Sequence, residues 1–274
     1  MIPKLFHIFQ NTPLGRETLL QATYFSKQLN ASLMVYIPRY IKFLMYFDND
    51  VIQVDLDQSY LTSPETARDH AIEIIAEAGI EPLFLEPKHF TASALPDIPT
   101  NFDFMVCPRS ISNLSSKIGL GYIGPKVRNI VNAARFPVLI ASHVYKPWKS
   151  IVVFFGGSAN AYNALKLGFQ IQEVTRFPLK LFTYAEKSSG AYQKEIINRG
   201  FEDELNHRVE DWQIFESGNL IDNLYHVPHD ALVVIGAFGH GLLRDIMFGS
   251  KLEQVQTSIA NNLLIVGPKF SASV

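Results

Sequence analysis

Short apolar runs alternate with amphipathic stretches along the chain, which predicts strands followed by helices. The segment Lys4–Pro38 contains an apolar run, a loop of small and polar residues, an amphipathic stretch and a second apolar run. The segment Ser150–Tyr184 repeats this order without a gap. Both amphipathic stretches carry apolar or small residues at helical spacing, namely Leu19, Ala22 and Leu29 in the first copy and Leu165, Gly168 and Ile171 in the second.

A second pair of segments also matches. Gly124–Ser142 and Gly249–Gly267 each begin with Gly-x-Lys, continue as an amphipathic helix and end in an apolar strand. We therefore predict two related α/β units in tandem, at residues 1–146 and 147–274. Alternating strands and helices with short connections favour a doubly wound parallel sheet with right-handed crossovers in each unit.

The first half carries an insertion that the second half lacks. It includes the apolar segment Tyr40–Phe47, which is too short to span a membrane. Because large apolar surfaces rarely stay exposed, the segment is a candidate lid or partner-binding patch, or it packs between the two halves.

Composition narrows the class of protein. The 274 residues are 47% hydrophobic and 18% charged, as in chains that fold around a core. The net charge of -2 lacks the basic excess that nonspecific nucleic-acid binding requires, so we expect no nucleic-acid partner. No apolar run approaches the ~18 residues of a membrane span, and no secretion signal is evident. We therefore expect a cytoplasmic protein with no membrane partner.

Glycines gather after one predicted strand of the second half. The strand Ala231–Ile235 leads into a loop and a helix start that contain Gly236, Gly239, Gly241, Gly249 and Ser250. Glycine at the carboxyl end of a parallel strand lets the main chain approach a phosphate, and the free N–H groups at a helix start attract anions. The pattern predicts a phosphate-binding loop, to which His240, the Ser250 hydroxyl and Lys251 can add contacts.

The spacing Gly236-x2-Gly239-x9-Gly249-Ser250 resembles the G-x2-G-x9-G-[S/T] nucleotide signature of the universal stress protein family. The resemblance covers nearly the whole chain as two tandem domains. It implies a Rossmann-like (adenine nucleotide alpha hydrolase-like) α/β fold, with five parallel strands per domain in the order 3-2-1-4-5 and helices on both faces. It also implies binding of ATP or another adenine nucleotide, with Mg²⁺ as a companion of a triphosphate. The two halves would pair within one chain, and a further homodimer stays open.

The chain departs from that family on the adenosine side. ATP-binding members carry an Asp just after the first strand, a place that falls on Gly156 in the second half and Gln10 in the first. The loop formed by Gly156, Gly157 and Ser158 offers room for the nucleotide but no carboxylate. The main chain that contacts adenine in the family falls near Tyr184, which completes the expected site.

The first half has lost the phosphate motif. Pro108 and Ile111 occupy the places of the first two glycines, and Pro125 replaces the Ser. Proline has no N–H to offer a phosphate. We expect a degenerate nucleotide site there, although the serine-rich loop leaves another ligand open.

No catalytic set is expected, because main-chain donors bind phosphate without supplying a nucleophile or a base. We expect nucleotide binding with at most slow ATP hydrolysis. Pro228 breaks the helix that would align His226 with His229, so no metal site is predicted. A stress scaffold or signalling module that acts through protein contacts and binds no nucleotide is the alternative. A dinucleotide-dependent oxidoreductase would need G-x-G-x-x-G after the first strand, which neither half has.

Overall fold

The structure is a computed structural model that describes residues 2–56, 63–87, 95–111, 123–237 and 259–272. This part of the chain divides into two compact units, the first ending at Pro147 and the second beginning at Trp148. Both units are built from helices and mostly parallel strands, so the predicted α/β class is confirmed. That each unit is a separate universal-stress-protein domain stays a prediction. None of the described helices combines the length and the apolar character needed to cross a membrane.

The first unit has a main sheet of parallel strands. Its elements are β1 (Lys4–Ile8), α1 (Pro13–Gln28), β2 (Ser32–Tyr36), β3 (Lys42–Tyr46), β4 (Val51–Asp55), α2 (Pro64–Ala76), β5 (Leu83–Phe84), β6 (Asp97–Pro99), β7 (Phe104–Cys107), α3 (Pro125–Ala133) and β8 (Val138–Ile140). The strands of the main sheet lie in the order β8-β7-β1-β2-β5, with every pair parallel. The register sets Phe6 of β1 beside Met34 on one side and Met105 on the other.

Helix α1 begins and ends where its sequence favours. The Thr12 hydroxyl oxygen accepts a hydrogen bond from the Gly15 N–H at 2.9 Å, and Pro13 takes the first helical position, so the N-terminus is capped. Beyond its last turn Asn30 adopts a left-handed φ of 50°, which ends the helical path. The predicted face is correct, because Leu19 and Ala22 are fully buried.

Helix α2 begins at Pro64 without a side-chain cap. The Ser63 hydroxyl donates to the Glu65 carboxylate at 2.7 Å and does not cap the helix main chain. The buried residues Ala67, Ala71 and Ile75 lie four positions apart, whereas Ile74 is only partly buried. Residues four apart lie on the same side of a helix, so α2 buries one narrow face.

The inserted segment forms a second sheet of the first unit. β3 pairs antiparallel with β4 and parallel with β6. Phe43 and Met45 of β3 are fully buried, and the Phe43 ring meets the Tyr36 ring edge to face at 5.2 Å. The segment Tyr40–Phe47 therefore contributes to the core of the first unit. The sequence interpretations, which were a lid, a partner-binding patch or packing between the halves, did not include this role.

The second unit follows the repeated pattern more closely. Its elements are β9 (Ser150–Phe154), α4 (Ala159–Thr175), β10 (Leu179–Tyr184), α5 (Ser189–Asn198), α6 (Glu202–Arg208), β11 (Val209–Phe215), α7 (Leu220–Leu224), β12 (Ala231–Gly236) and β13 (Asn262–Val266). The strands lie in the order β11-β10-β9-β12-β13, with every pair parallel. All residues of β9, β12 and β13 are buried, as is usual for apolar runs in a parallel sheet.

A glycine separates two helices on one side of this sheet. Gly200 adopts a φ of 81°, which other residues rarely take, and it lies between α5 and α6. The break lets α6 lead directly into β11 at Val209.

The absence of a side chain at Gly168 lets helix α4 pack closely on β9. A Cβ there would lie 2.5 Å from Val153 Cγ2 and 3.4 Å from Leu179 Cδ1. We expect Gly168→Ala to lower the free energy of unfolding by about 1–3 kcal/mol, because the added methyl overpacks a buried contact. Urea unfolding followed by circular dichroism measures the change.

The matched control is Gly190→Ala in the first turn of α5, where a Cβ would meet no atom within 4 Å. We expect that variant to be as stable as the unaltered protein or slightly more stable, because alanine favours the helix. Equal losses of stability in the two variants would contradict the close packing at Gly168.

Candidate functional site

The carboxyl ends of the strands in the second unit bring together the described residues of the expected nucleotide site. Gly156, Gly157 and Ser158 follow β9, Tyr184 ends β10, and Gly236 ends β12. The strand order reverses between β9 and β12, because β10 lies on the far side of β9 and β13 on the far side of β12. Parallel α/β sheets bind ligands in the crevice that such a reversal opens at the carboxyl ends of the strands.

Gly236 permits a close approach between two segments of main chain. A Cβ at Gly236 would lie 2.5 Å from the Asn160 carbonyl oxygen and 2.8 Å from the Ala161 nitrogen, both in the first turn of α4. The Asn160 side-chain amide in turn donates a hydrogen bond to the carbonyl of Ala237. Glycine is therefore required here by packing between β12 and α4, and its role toward a phosphate stays a prediction.

The loop after β9 is shaped by two local requirements. Gly157 adopts a left-handed φ of 77°, a conformation that favours glycine. The Ser158 hydroxyl oxygen accepts a hydrogen bond from the Ala161 N–H at 3.1 Å and caps α4. The Ser158 hydroxyl is thus engaged with its own helix, and the left-handed conformation of Gly157 provides the turn between β9 and α4.

A cation and an anion that the sequence did not single out lie beside this loop. Lys187 forms an ion pair with Glu195 of α5, and its ammonium group stands 4.7 Å from the centre of the Tyr192 ring. A Cβ on Gly157 would lie 2.9 Å from Glu195 Oε2. α5 therefore brings a carboxylate beside the glycine loop, whereas the position after β9 is a glycine, and no motif in the sequence signals that placement.

Tyr184 is held at the end of β10 by its hydroxyl group. That hydroxyl donates a hydrogen bond to the Gly218 carbonyl at 2.8 Å. The neighbouring Thr183 is fully buried and donates to the Phe155 carbonyl at 2.8 Å. The end of β10 is therefore fixed relative to the end of β9, next to the reversal of strand order.

The remaining expected site residues fall outside the part of the chain that the structure describes. They are Gly239, His240, Gly241, Gly249, Ser250 and Lys251. Their assignment to phosphate binding stays a prediction from their spacing. The described flanks are consistent with the order that the sequence predicted, because β12 ends at Gly236 before them and β13 begins at Asn262 after them.

In the first unit, a pocket of about 280 Å³ lies at the carboxyl ends of the strands of the main sheet. It lies at the carboxyl ends of β1 and β7, next to the first turns of α1, and Gln10 and Pro108 are among the residues that line it. Pro108 and Pro125 lack N–H groups at the end of β7 and at the first position of α3. These two positions therefore offer no main-chain donors to an anion, although the expected loss of nucleotide binding stays a prediction.

His7 is a fully buried residue of this pocket. Its Nδ1 lies 3.1 Å from the Val106 carbonyl oxygen, and because a carbonyl only accepts, Nδ1 carries the proton. Burial lowers the pKa of the His7 imidazole to about 4, with the Val106 hydrogen bond as a smaller opposing effect. His7 lies within the first apolar run of the chain, and no motif in the sequence signals this environment.

We expect His7 to make stability depend on pH. The unfolded chain binds a proton at His7 near the ordinary pKa of 6.5, whereas the folded chain binds it only near pH 4. The unfolded state therefore holds more protons between these values, and His7 contributes up to about 3 kcal/mol of stability that is lost as the pH falls through this window.

Urea unfolding of the protein and of His7→Gln between pH 7 and pH 4 measures this contribution. Glutamine does not titrate, so the variant should lose less stability across the window than the unaltered protein. Parallel stability curves for the two proteins would show that His7 is not the group responsible.

This chain is similar to a curated universal stress protein and to several solved structures. No protein-family model matches the chain. A curated universal stress protein from Synechocystis sp. is 23% identical over 200 residues, which span 68% of this chain and 66% of the relative, just under two thirds of its length.

Solved structures share the fold over nearly the whole chain. A universal stress protein from Archaeoglobus fulgidus matches with a TM-score of 0.62 at 15% identity, over 97% of this chain and 96% of that one. The cytoplasmic domain of a prokaryotic cation chloride cotransporter matches with a TM-score of 0.53 at 12% identity, over 97% of this chain and 95% of that one.

Proposed function

We propose that this chain, which its relatives assign to the universal stress protein family, binds an adenine nucleotide at the carboxyl end of the second unit's sheet. The observation that carries the proposal is the position of the glycine motif. Its first residue, Gly236, ends β12 next to the reversal of strand order and against the first turn of α4. Ligands of parallel α/β sheets bind in that place.

The phosphates are bound by main-chain N–H groups of the segment from Gly236 to Ser250. A helix start supplies donors that have no partner within the helix, and its dipole favours negative charge. Lys251 and the Ser250 hydroxyl add a charge and a hydrogen bond. His240 contacts a phosphate or the ribose.

The adenosine lies toward the ends of β9 and β10, over Gly156 and Gly157 and next to Tyr184. Gly156 and Gly157 carry no side chains, although the Lys187–Glu195 pair lies on the side of Gly157 where a Cβ would be. Glu195 brings a carboxylate to the loop from α5, although its pairing with Lys187 neutralises much of that charge. We therefore expect the adenosine side to contribute less affinity than the phosphate side.

The site binds nucleotide without fast chemistry. Main-chain donors stabilise phosphate oxygens but transfer no proton, so hydrolysis is at most slow. Among the described residues no group of three or more His, Cys, Asp or Glu side chains could hold a metal ion. We assign no residue and no step to a Mg²⁺ ion that accompanies a triphosphate.

A scaffold that acts through protein contacts is the second candidate. It is favoured by Gly156, which offers no carboxylate to the nucleoside. It is also favoured by the presence of this fold in the cytoplasmic domain of a cotransporter. A scaffold predicts that the protein binds none of the adenine nucleotides, so one titration separates the two candidates.

We expect Gly249→Val to abolish nucleotide binding, because the added side chain would occupy the space of a phosphate next to the helix start that the sequence predicts at Gly249. Isothermal titration of the purified protein with ATP, ADP and AMP measures the affinities. Gly190→Ala serves as the control, since it alters a glycine of the same unit that has open space around it.

The control should bind nucleotide as the unaltered protein does, and unfolding curves establish that both variants are folded. If a folded Gly249→Val variant keeps its affinity, the phosphates are bound elsewhere. If the unaltered protein binds no nucleotide, the scaffold is the better account.

A further inference from the structure

One oxygen of the Glu195 carboxylate lies beside the glycine loop of the second unit and has no hydrogen-bond partner among the residues that the structure describes. The Lys187 ammonium group donates to the other oxygen, Oε1. Oε2 faces Gly157, where a Cβ would lie 2.9 Å from it. An ionised carboxylate only accepts hydrogen bonds, and each of its oxygens can take more than one. Oε2 is therefore available to a donor from a bound molecule.

The Glu195 carboxylate is accessible from solvent. The side chain of Glu195 is 42% exposed, and that of Lys187 is 38% exposed. Gly157 belongs to the loop between β9 and α4, at the carboxyl end of β9. A molecule that binds over this loop can thus contact Oε2 without any rearrangement of the core.

The position of the carboxylate is set by groups on its other side. The Lys187 ammonium group stands 4.7 Å from the centre of the Tyr192 ring, which is buried. The Tyr192 hydroxyl accepts a hydrogen bond from the Glu186 N–H at 3.0 Å, which ties the segment before α5 to that helix. Lys187 therefore stands between a fixed ring and Glu195. The arrangement exists before a ligand binds, which favours affinity.

The strand order indicates which part of a nucleotide would meet Glu195. β9 lies between β10 and β12 in the sheet. In the proposed site the phosphates bind beyond the end of β12 and the adenine lies near the end of β10. The ribose joins these two parts, so it falls over the loop that follows β9, where Glu195 Oε2 faces Gly157.

Ribose hydroxyl groups are suitable donors for this oxygen. In α/β folds that bind dinucleotides, an acidic side chain accepts a hydrogen bond from a ribose hydroxyl. A phosphate is disfavoured at the same place, because it carries negative charge and a carboxylate repels it. The adenine amino group is the other donor of the nucleotide, but it belongs to the part that lies toward β10.

We propose that Glu195 Oε2 accepts a hydrogen bond from the ribose of the bound nucleotide, an inference that rests on the proposed nucleotide site. Glu195 is thus a specificity-determining residue, and the site selects ribonucleotides over nucleotides without ribose hydroxyls. The carboxylate comes from α5 and not from the loop that follows β9.

Isothermal titration with ATP and with 2′,3′-dideoxy-ATP tests the proposal. The two nucleotides share the base and the triphosphate and differ only in the ribose hydroxyls. We expect the unaltered protein to bind ATP about tenfold more tightly, as one hydrogen bond to a partly exposed charged group warrants. This comparison does not require any variant to fold.

Glu195→Ala should reduce the preference for ATP to less than about twofold and leave the affinity for 2′,3′-dideoxy-ATP in place. Loss of the Lys187 partner affects both nucleotides in the same way, because they carry the same triphosphate, so its effect cancels in the ratio. A merely structural role would weaken the binding of both. The control is Glu202→Ala, which removes an exposed carboxylate of α6 and should keep the full preference.

The outcomes separate this inference from the proposed function. Equal affinity of the unaltered protein for the two nucleotides would overturn the role of Glu195 and leave nucleotide binding intact. A preference that survives in a folded Glu195→Ala variant would assign the ribose to another residue. Binding of neither nucleotide would contradict the proposed function and the role of Glu195 together.

Discussion

Close approach of main chain to main chain at the carboxyl ends of the strands is the constraint on which the rest of this structure depends. In the second unit Gly236 lies against the first turn of α4, where a Cβ would collide with the Asn160 backbone. In the first unit a Cβ on Gly15 would overlap the carbonyl group of Gln10. Both contacts fix where a helix begins relative to the strand ends, and so both set the shape of the adjoining site.

The two units share an architecture but differ at the strand ends. The second ends β12 in a glycine and continues into a glycine-rich segment. The first ends β7 at Cys107 and continues with Pro108, which has no N–H. This difference supports the proposal that the second unit, rather than the first, binds phosphate through its main chain.

Most of the fold was accessible from the sequence because it depends on local patterns. The repeated order of apolar run, loop, amphipathic stretch and second apolar run corresponds to β1, α1 and β2 in the first unit and to β9, α4 and β10 in the second. The three-stranded sheet of β3, β4 and β6 was not predicted, because β3 pairs with β6 across a long stretch of chain, although β3 and β4 are neighbours. The Lys187–Glu195 pair and the environment of His7 were missed for the same reason: each depends on which groups tertiary packing brings together, and no spacing in the sequence encodes that.

The central claim is that a nucleotide binds where the strand order reverses in the sheet of the second unit. Mapping of amide resonances tests this claim most directly. On addition of ATP to ¹⁵N-labelled protein, the largest shifts should fall in residues 236–251 and 156–158, at the ends of β12 and β9. Amides of the first unit should move little. Shifts concentrated in the first unit, or an unchanged spectrum at millimolar ATP, would contradict the account.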